Sequence, residues 1–430
     1  MLGHPLFSFG IAQFVGSPPQ GLKFRQASAT RSLRVTKVGG PSGRESGVDL
    51  LLVSVIALIV LALVFDFTNG FHDAANSVAT VVATRALPAR WAPAFSAFFN
   101  FAAYFIIGTA VANTVAKTVK PQYAGAAVVF AALFAAIAWN YVTWYLGLPS
   151  SSSHAIIGGL VGAGLAAGGV AAISWDAVSK AVIGIVASPA VAFSIALVAM
   201  FLVAGAQRLF RMRDEHPVFK GLQLVSAGAV SFGHGANDAQ KTMGVIAALL
   251  LATGHTQMSA DGKTVELPEW VALSAYSAIA LGTLWGGWKI IETLGLKITI
   301  LHANSGVAAN IGASAAIFGA TAVGMPISTT HAAASSIVGA GLGSHRGAHW
   351  NVVGRMVLAW VLTIPSAAGV AWVMFQLTRL PTGLAWITVG GTLLAFATWA
   401  GWAMTHTIHA KDVEAELPSE EELDLGVHPA

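Results

Sequence analysis

The sequence predicts an all-α polytopic membrane protein made of two related repeats with broken helices or re-entrant hairpins, and three observations lead there. Of its 430 residues 55% are hydrophobic and only 10% charged, with a mean hydropathy of +0.70, whereas a soluble domain carries roughly 25% charge. The apolar region from about residue 50 to 405 holds about ten to twelve membrane segments at about 20 residues per span. The same polar motifs also occur twice, in the same order. The chain has no Cys, so a disulfide framework or a thiolate metal site is excluded. The net charge of +4 resides in ends and loops and describes topology, not nucleic-acid binding.

Taken in order, residues 1–48 form a basic extension, expected to be disordered, with Lys23, Arg25, Arg31, Arg34, Lys37 and Arg44 opposed only by Glu45. Such a start resembles an organellar transit peptide or is a dispensable extension. Residues 49–207 are the first membrane repeat. Residues 208–220 carry Arg208, Arg211, Arg213 and Lys220, and the positive-inside rule makes them a cytoplasmic linker. The second repeat spans 221–380, an additional helix 381–405, and an acidic tail 406–430 is expected to be disordered.

Two stretches, 121–175 and 298–345, lack Asp, Glu, Lys and Arg and are long enough for two passes each. Each is interrupted by a Gly-Pro-hydroxyl cluster, Gly147-Leu148-Pro149-Ser150-Ser151-Ser152-Ser153-His154 and Gly324-Met325-Pro326-Ile327-Ser328-Thr329-Thr330-His331, at an offset of 177 residues. Pro breaks a helix, and Ser or Thr caps the next one. Upstream of each lies a second motif, His72-Asp73-Ala74-Ala75-Asn76 in one half and Ala236-Asn237-Asp238-Ala239-Gln240-Lys241 in the other. Duplicated units with broken polar segments point to a secondary transporter with its site between the repeats, and inversion of the repeats is an expectation of that type.

An ionisable residue inside a span needs a functional or pairing reason. The recurrence of Asp73 and Asp238 beside Asn favours cation or proton coupling, while Asp66, present in one half only, is equally explained by structural pairing. Ser151, Ser152, Ser153, Ser328, Thr329 and Thr330 suit a tetrahedral oxyanion, because hydroxyl donors and helix-start N–H groups converge; the plainer reading is helix capping. For His154 and His331, proton carriage and hydrogen-bonding support are both open. Gly158-Gly162 and Gly164-Gly168 have the spacing of close helix packing.

These motifs resemble the inorganic phosphate transporter (PiT) family, over about residues 50–380. The resemblance implies an inverted-repeat transporter that binds phosphate between the two hydroxyl-bearing hairpins. It assigns the coupling ion to Asp73, Asn76, Asn237 and Asp238, with His72 beside them. The motifs with His72 and Lys241 look like the bacterial low-affinity branch, which is proton-coupled and carries phosphate with a divalent metal such as magnesium. A Lys has no acceptor to offer sodium, so Lys241 is expected to replace a bound sodium or, with Gln240, to contact substrate. The implied partners are phosphate, protons, divalent cations and lipid, with a homo-oligomer allowed for and no resident cofactor. The implied location is a bacterial inner membrane, or an organellar one if residues 1–48 are a transit peptide.

Two other readings compete: a sulfate or other oxyanion symporter on the same scaffold, and a sodium-coupled phosphate symporter. An intramembrane phosphatase is a different class. It would need Arg or Lys against the transferring phosphoryl oxygens, and neither long charge-free stretch has one.

Overall fold

The computed structural model describes residues 50–417, apart from 107, 261 and 263. The basic extension 1–48 and the end of the acidic tail lie outside the described residues. Among those described the chain is helical, without a strand. The helices are α1 (Leu50–Asp73), α2 (Ala75–Ala83), α3 (Ala92–Ala102), α4 (Ala110–Ala116), α5 (Ala126–Tyr145), α6 (Ser152–Gly168), α7 (Trp175–Phe210) and α8 (Pro217–Ala252). They continue with α9 (Glu269–Trp285), α10 (Trp288–Glu292), α11 (Ala303–Ala322), α12 (Thr329–Gly343), α13 (Trp350–Thr378), α14 (Thr382–Thr405) and α15 (Ala410–Ala415).

Seven helices are long and apolar enough to cross a bilayer, or eight if Ala92–Phe105 and Ala110–Ala116, bent by 88°, count as one. Other segments fall outside that class for identifiable reasons. Helix α8 has 36 residues but carries Asp238 and Lys241, and α9 and α12 have only 17 and 15 residues. The surface is apolar where lipid would lie: Leu202, Val361 and Ile387 on α7, α13 and α14 are each more than 60% exposed. In water such a surface would be a liability; in hydrocarbon it costs nothing.

Both predicted hairpins form. Helices α5 and α6 pack together, as do α11 and α12. The turn of each begins with a glycine in the left-handed region, Gly147 at φ 64° and Gly324 at φ 66°, where a Cβ would be strained. Each turn ends on a serine that caps the next helix: Ser151 Oγ accepts from His154 N at 3.2 Å, and Ser328 Oγ from His331 N at 3.1 Å.

The two hairpins are held by reciprocal partners, α6 packing on α13 and α12 on α7. Small residues let these backbones touch. A Cβ on Gly162 would fall 2.1 Å from Ala368 O, and one on Gly339 2.5 Å from Phe193 O. Gly158 lies on the same contact, with its Cβ position 2.7 Å from Ile364 O. Gly164 and Gly168 do not share it; they make room for the side chains of Ile173 and Tyr123, which corrects their expected helix-packing role. Helix α1 crosses α9 closely and α3 lies on α8.

The tail departs from expectation between residues 410 and 415. These form α15, and Glu414 Oε1 accepts from Ala89 N at 3.1 Å. An acidic run reads as solvated, but His409 N donates to Asp412 Oδ2 and closes a capping box.

Candidate functional site

The centre of the bundle is polar and sealed. Asp73, Asn76, Ser151, Ser152, Ser153, Asn237, Asp238, Lys241, Ser328, Thr329 and Thr330 are each 3% exposed or less. Helix α8 brings Asp238 and Lys241 to the point where the two hairpin turns meet. Lys241 Nζ lies 2.6 Å from Asp238 Oδ1, one turn back on the same helix, and donates to Ile327 O at 2.9 Å. It also donates to Ser153 Oγ, which in turn donates to Ile327 O at 2.7 Å. One ammonium therefore joins both hydroxyl hairpins.

The second carboxylate oxygen, Asp238 Oδ2, accepts from Asn69 Nδ2 at 3.3 Å and from Thr329 Oγ1 at 3.4 Å. Across from it, α1 ends at Asp73 and α2 begins at Ala75, an interruption of one residue. His72 Nδ1 lies 2.6 Å from Asp73 Oδ1, and His72 Nε2 lies 3.1 Å from Thr143 Oγ1. Asn76 Nδ2 reaches the hydroxyls of Thr329 and Thr330 at 3.2 and 3.3 Å.

Two of the expected site residues bond to neighbouring segments. Gln240 Oε1 accepts from Val111 N at 2.9 Å and Ala112 N at 3.3 Å, while its Nε2 donates to Ala236 O at 2.6 Å. Its amide ties α8 to the start of α4. Asn237 spends its amide on the second turn, donating to Thr321 Oγ1 at 2.9 Å and accepting from Ile327 N at 3.3 Å. These bonds brace the second hairpin. His154 and His331 meet each other edge to face with ring centroids 4.4 Å apart, and His331 stacks on Trp360 at 3.9 Å.

Sequence reasoning missed His234. Its spacing from Asp238, one turn back on α8, was the available signal. Ligand atoms of Asp73, His234 and Asp238 all lie within 4.8 Å of one another, a set of imidazole and carboxylates that can hold a divalent cation. Asn100 Oδ1 sits 3.0 Å from His234 Nδ1 and fixes the ring, leaving Nε2 buried without a hydrogen-bond partner among the described residues. Asn76 Oδ1 and Ser152 Oγ are also buried and unpartnered there, as are both oxygens of Asp66. Such buried polar atoms are ones that water, an ion or a substrate would satisfy.

Buried charge where two polar hairpins meet, inside a bundle with an apolar outer surface, defines a membrane transporter. The chain belongs to the phosphate transporter family, whose profile matches residues 69–371. It is 46% identical over 319 residues to the "Probable low-affinity inorganic phosphate transporter" of Rhizobium meliloti (strain 1021), covering 73% of this chain and 93% of that protein. It is 43% identical over 326 residues to the protein of the same name from Bacillus subtilis (strain 168), covering 74% and 96%. A solved structure titled "The sodium-dependent phosphate transporter" aligns with a TM-score of 0.66 at 25% identity, covering 76% of this chain and 99% of that one. The protein is a multi-pass plasma-membrane phosphate transporter; its family and relatives are transporters and not enzymes.

Proposed function

We propose that the protein is a symporter that imports inorganic phosphate together with a divalent cation and is driven by protons. The observation that carries this reading is a charge imbalance. Among the described residues the buried charged side chains are Asp66, Asp73, Asp238 and Lys241, three carboxylates against one ammonium. Such an excess in a low-dielectric interior demands protons or cations. Lys241 and the hydroxyls of Ser152, Ser153, Thr329 and Thr330 then take the phosphate oxygens, while Asp73, His234 and Asp238 take the metal that travels with it. Asp66, without a hydrogen-bond partner among the described residues, or the His72–Asp73 pair carries the proton. We further infer that residues 49–207 and 221–380 are inverted repeats, for which the reciprocal packing of α6 on α13 and α12 on α7 is the support.

Energetics favour cation coupling. With the cell interior negative, moving a dianion inward costs roughly 4.6 kcal/mol at 100 mV. A neutral metal–phosphate complex with a proton reverses the sign of that term.

A sodium-coupled mechanism is the second reading. Asp66 faces Asn69 and Thr242, with Tyr276 also nearby; Asn69 Oδ1, Thr242 Oγ1 and the Tyr276 hydroxyl are all buried and unpartnered. A cluster of oxygen ligands of that kind suits a hard cation. The deciding experiment is radiolabelled phosphate uptake into proteoliposomes, with the pH gradient, sodium and magnesium varied separately and excess sulfate as competitor. Proton-driven, magnesium-dependent uptake without sodium establishes the first reading. Sodium dependence establishes the second, and strong sulfate competition makes the protein a broader oxyanion carrier. Normal transport by Lys241→Asn with unchanged ion dependence would remove Lys241 from the coupling mechanism.

A further inference from the structure

We propose that a cavity of about 780 Å³ near the C-terminal end of α2 is a second, weaker oxyanion site. In this view it is a vestibule that exchanges phosphate with the buried site on the side of the 208–220 loop. The inference rests on the transport reading above and concerns residues which that reading does not use.

The lining is cationic. Arg213, Lys220 and Arg346 line the cavity beside Arg85, against the carboxylates of Asp214 and Glu215; three cations outnumber two carboxylates without counting Arg85, which is engaged with Leu417 O at 3.4 Å. Those carboxylates leave cationic capacity spare. Arg346 Nη2 holds Asp214 Oδ2 at 2.6 Å, but its Nη1 is buried with no hydrogen-bond partner among the described residues. Lys220 Nζ is 3.9 Å from Glu215 Oε2, and Arg213 makes no ion pair among the described residues. A cleft lined with one sign of charge focuses the field and raises the local concentration of the opposite ion.

One face of α2 separates the cavity from the transport site. Thr84 lines it, and Asn76, Thr80 and Thr84 follow at four-residue spacing, so they share one face of α2. That face runs about 12 Å, from the hydroxyls of Thr329 and Thr330 held by Asn76 to the cavity wall. It is closed by polar side chains. Gln223 Oε1 accepts from Thr84 Oγ1 at 2.8 Å, its Nε2 donates to Thr80 O at 2.9 Å, and Thr80 Oγ1 donates to Asn310 Oδ1 at 3.1 Å. Gln223 lies so close over Gly306 that a Cβ there would sit 2.2 Å from its Nε2. A hydrophilic barrier of single side chains, with a cationic chamber beyond it, is what a dehydrated oxyanion needs on leaving a sealed site.

The test is the phosphate KM of the full chain in proteoliposomes of sorted orientation, measured separately from each face. The paired substitution Arg213→Gln and Lys220→Gln is expected to raise KM about tenfold at the face of the 208–220 loop in low salt. KM at the opposite face should not change, and the effect should shrink at high salt. A shift of equal size at both faces, or no shift, overturns the proposal. The measurement is made in phosphatidylcholine and in phosphatidylglycerol vesicles; an effect confined to the latter means that the cavity holds a lipid headgroup and likewise overturns it. Wild-type vesicles without phosphate uptake would instead fail the transport reading. Radiolabelled phosphate binding to the purified protein then decides this one, and binding not reduced by the paired substitution overturns it.

Discussion

Lys241 stands 2.6 Å from Asp238 with both side chains fully buried, and the same ammonium bonds Ser153 on one hairpin and Ile327 on the other. A charge pair in this position carries both register and chemistry. Removing one partner leaves an uncompensated buried charge, which costs about 3–5 kcal/mol, whereas removing both is often nearly neutral. Lys241→Met is therefore expected to lower the unfolding free energy in mixed micelles by that amount and to abolish uptake. Asp238→Asn with Lys241→Met should recover most of the stability and none of the transport.

Asn100 is a specific test of the cation ligands. Its carbonyl oxygen fixes the His234 ring, and removing a group that orients a metal-binding histidine costs roughly 10- to 100-fold in metal affinity. Asn100→Ala should raise the magnesium concentration for half-maximal phosphate uptake by that factor. An unchanged magnesium dependence would remove His234 from the ligand set.

The reciprocal helix contacts predict matched effects at two distant glycines. Gly162→Ala and Gly339→Ala each force a Cβ into a backbone carbonyl, and overpacking of this kind costs about 1–3 kcal/mol. Gly205, in the last two turns of α7, has nothing within 4 Å of its Cβ position. Gly205→Ala should be neutral or mildly stabilising in the same thermal unfolding assay.

Glu215 supplies a pH dependence outside the membrane-spanning helices. Burial pushes its carboxyl above the usual value and nearby Asp214 adds to this, while the bond from Ala303 N, Lys220 and Arg346 oppose the shift. An acid whose folded pKa is raised releases its proton more readily when unfolded, so stability falls as pH rises from the ordinary glutamate value through the raised one. Glu215→Gln keeps an acceptor for Ala303 N. It should melt above the wild type at neutral pH and match it below pH of about 4.

Much of this organisation was legible in the sequence, because it depends on local rules. Gly147, Pro149 and Ser151, repeated as Gly324, Pro326 and Ser328, spell a turn and a cap that the structure forms as such. What could not be read were contacts set by the rotation of one helix against another. Gln240 belongs to a motif, yet its amide turns to α4, 128 residues away in sequence from Ala112. His234 was visible only as a neighbour of Asp238, because its relation to Asp73 exists only once α1 and α8 are packed together. The helix over 410–415 was hidden for a different reason: its anchor, Ala89 N, is 325 residues distant from Glu414.

The exchange of partners between the hairpins bears on biogenesis. Helix α6 finds its packing face on α13, and α7 receives α12, so a nascent chain that has released only residues 49–207 into the bilayer has glycine grooves without ridges, even though Asp73 already has its partner in His72. The amino-terminal portion is therefore expected to stay at the insertion machinery, or be sheltered by a chaperone, until ribosomal synthesis reaches α13. A chain ending at residue 207 should be degraded by membrane quality control rather than accumulate, and co-expression of residues 208–430 should rescue it.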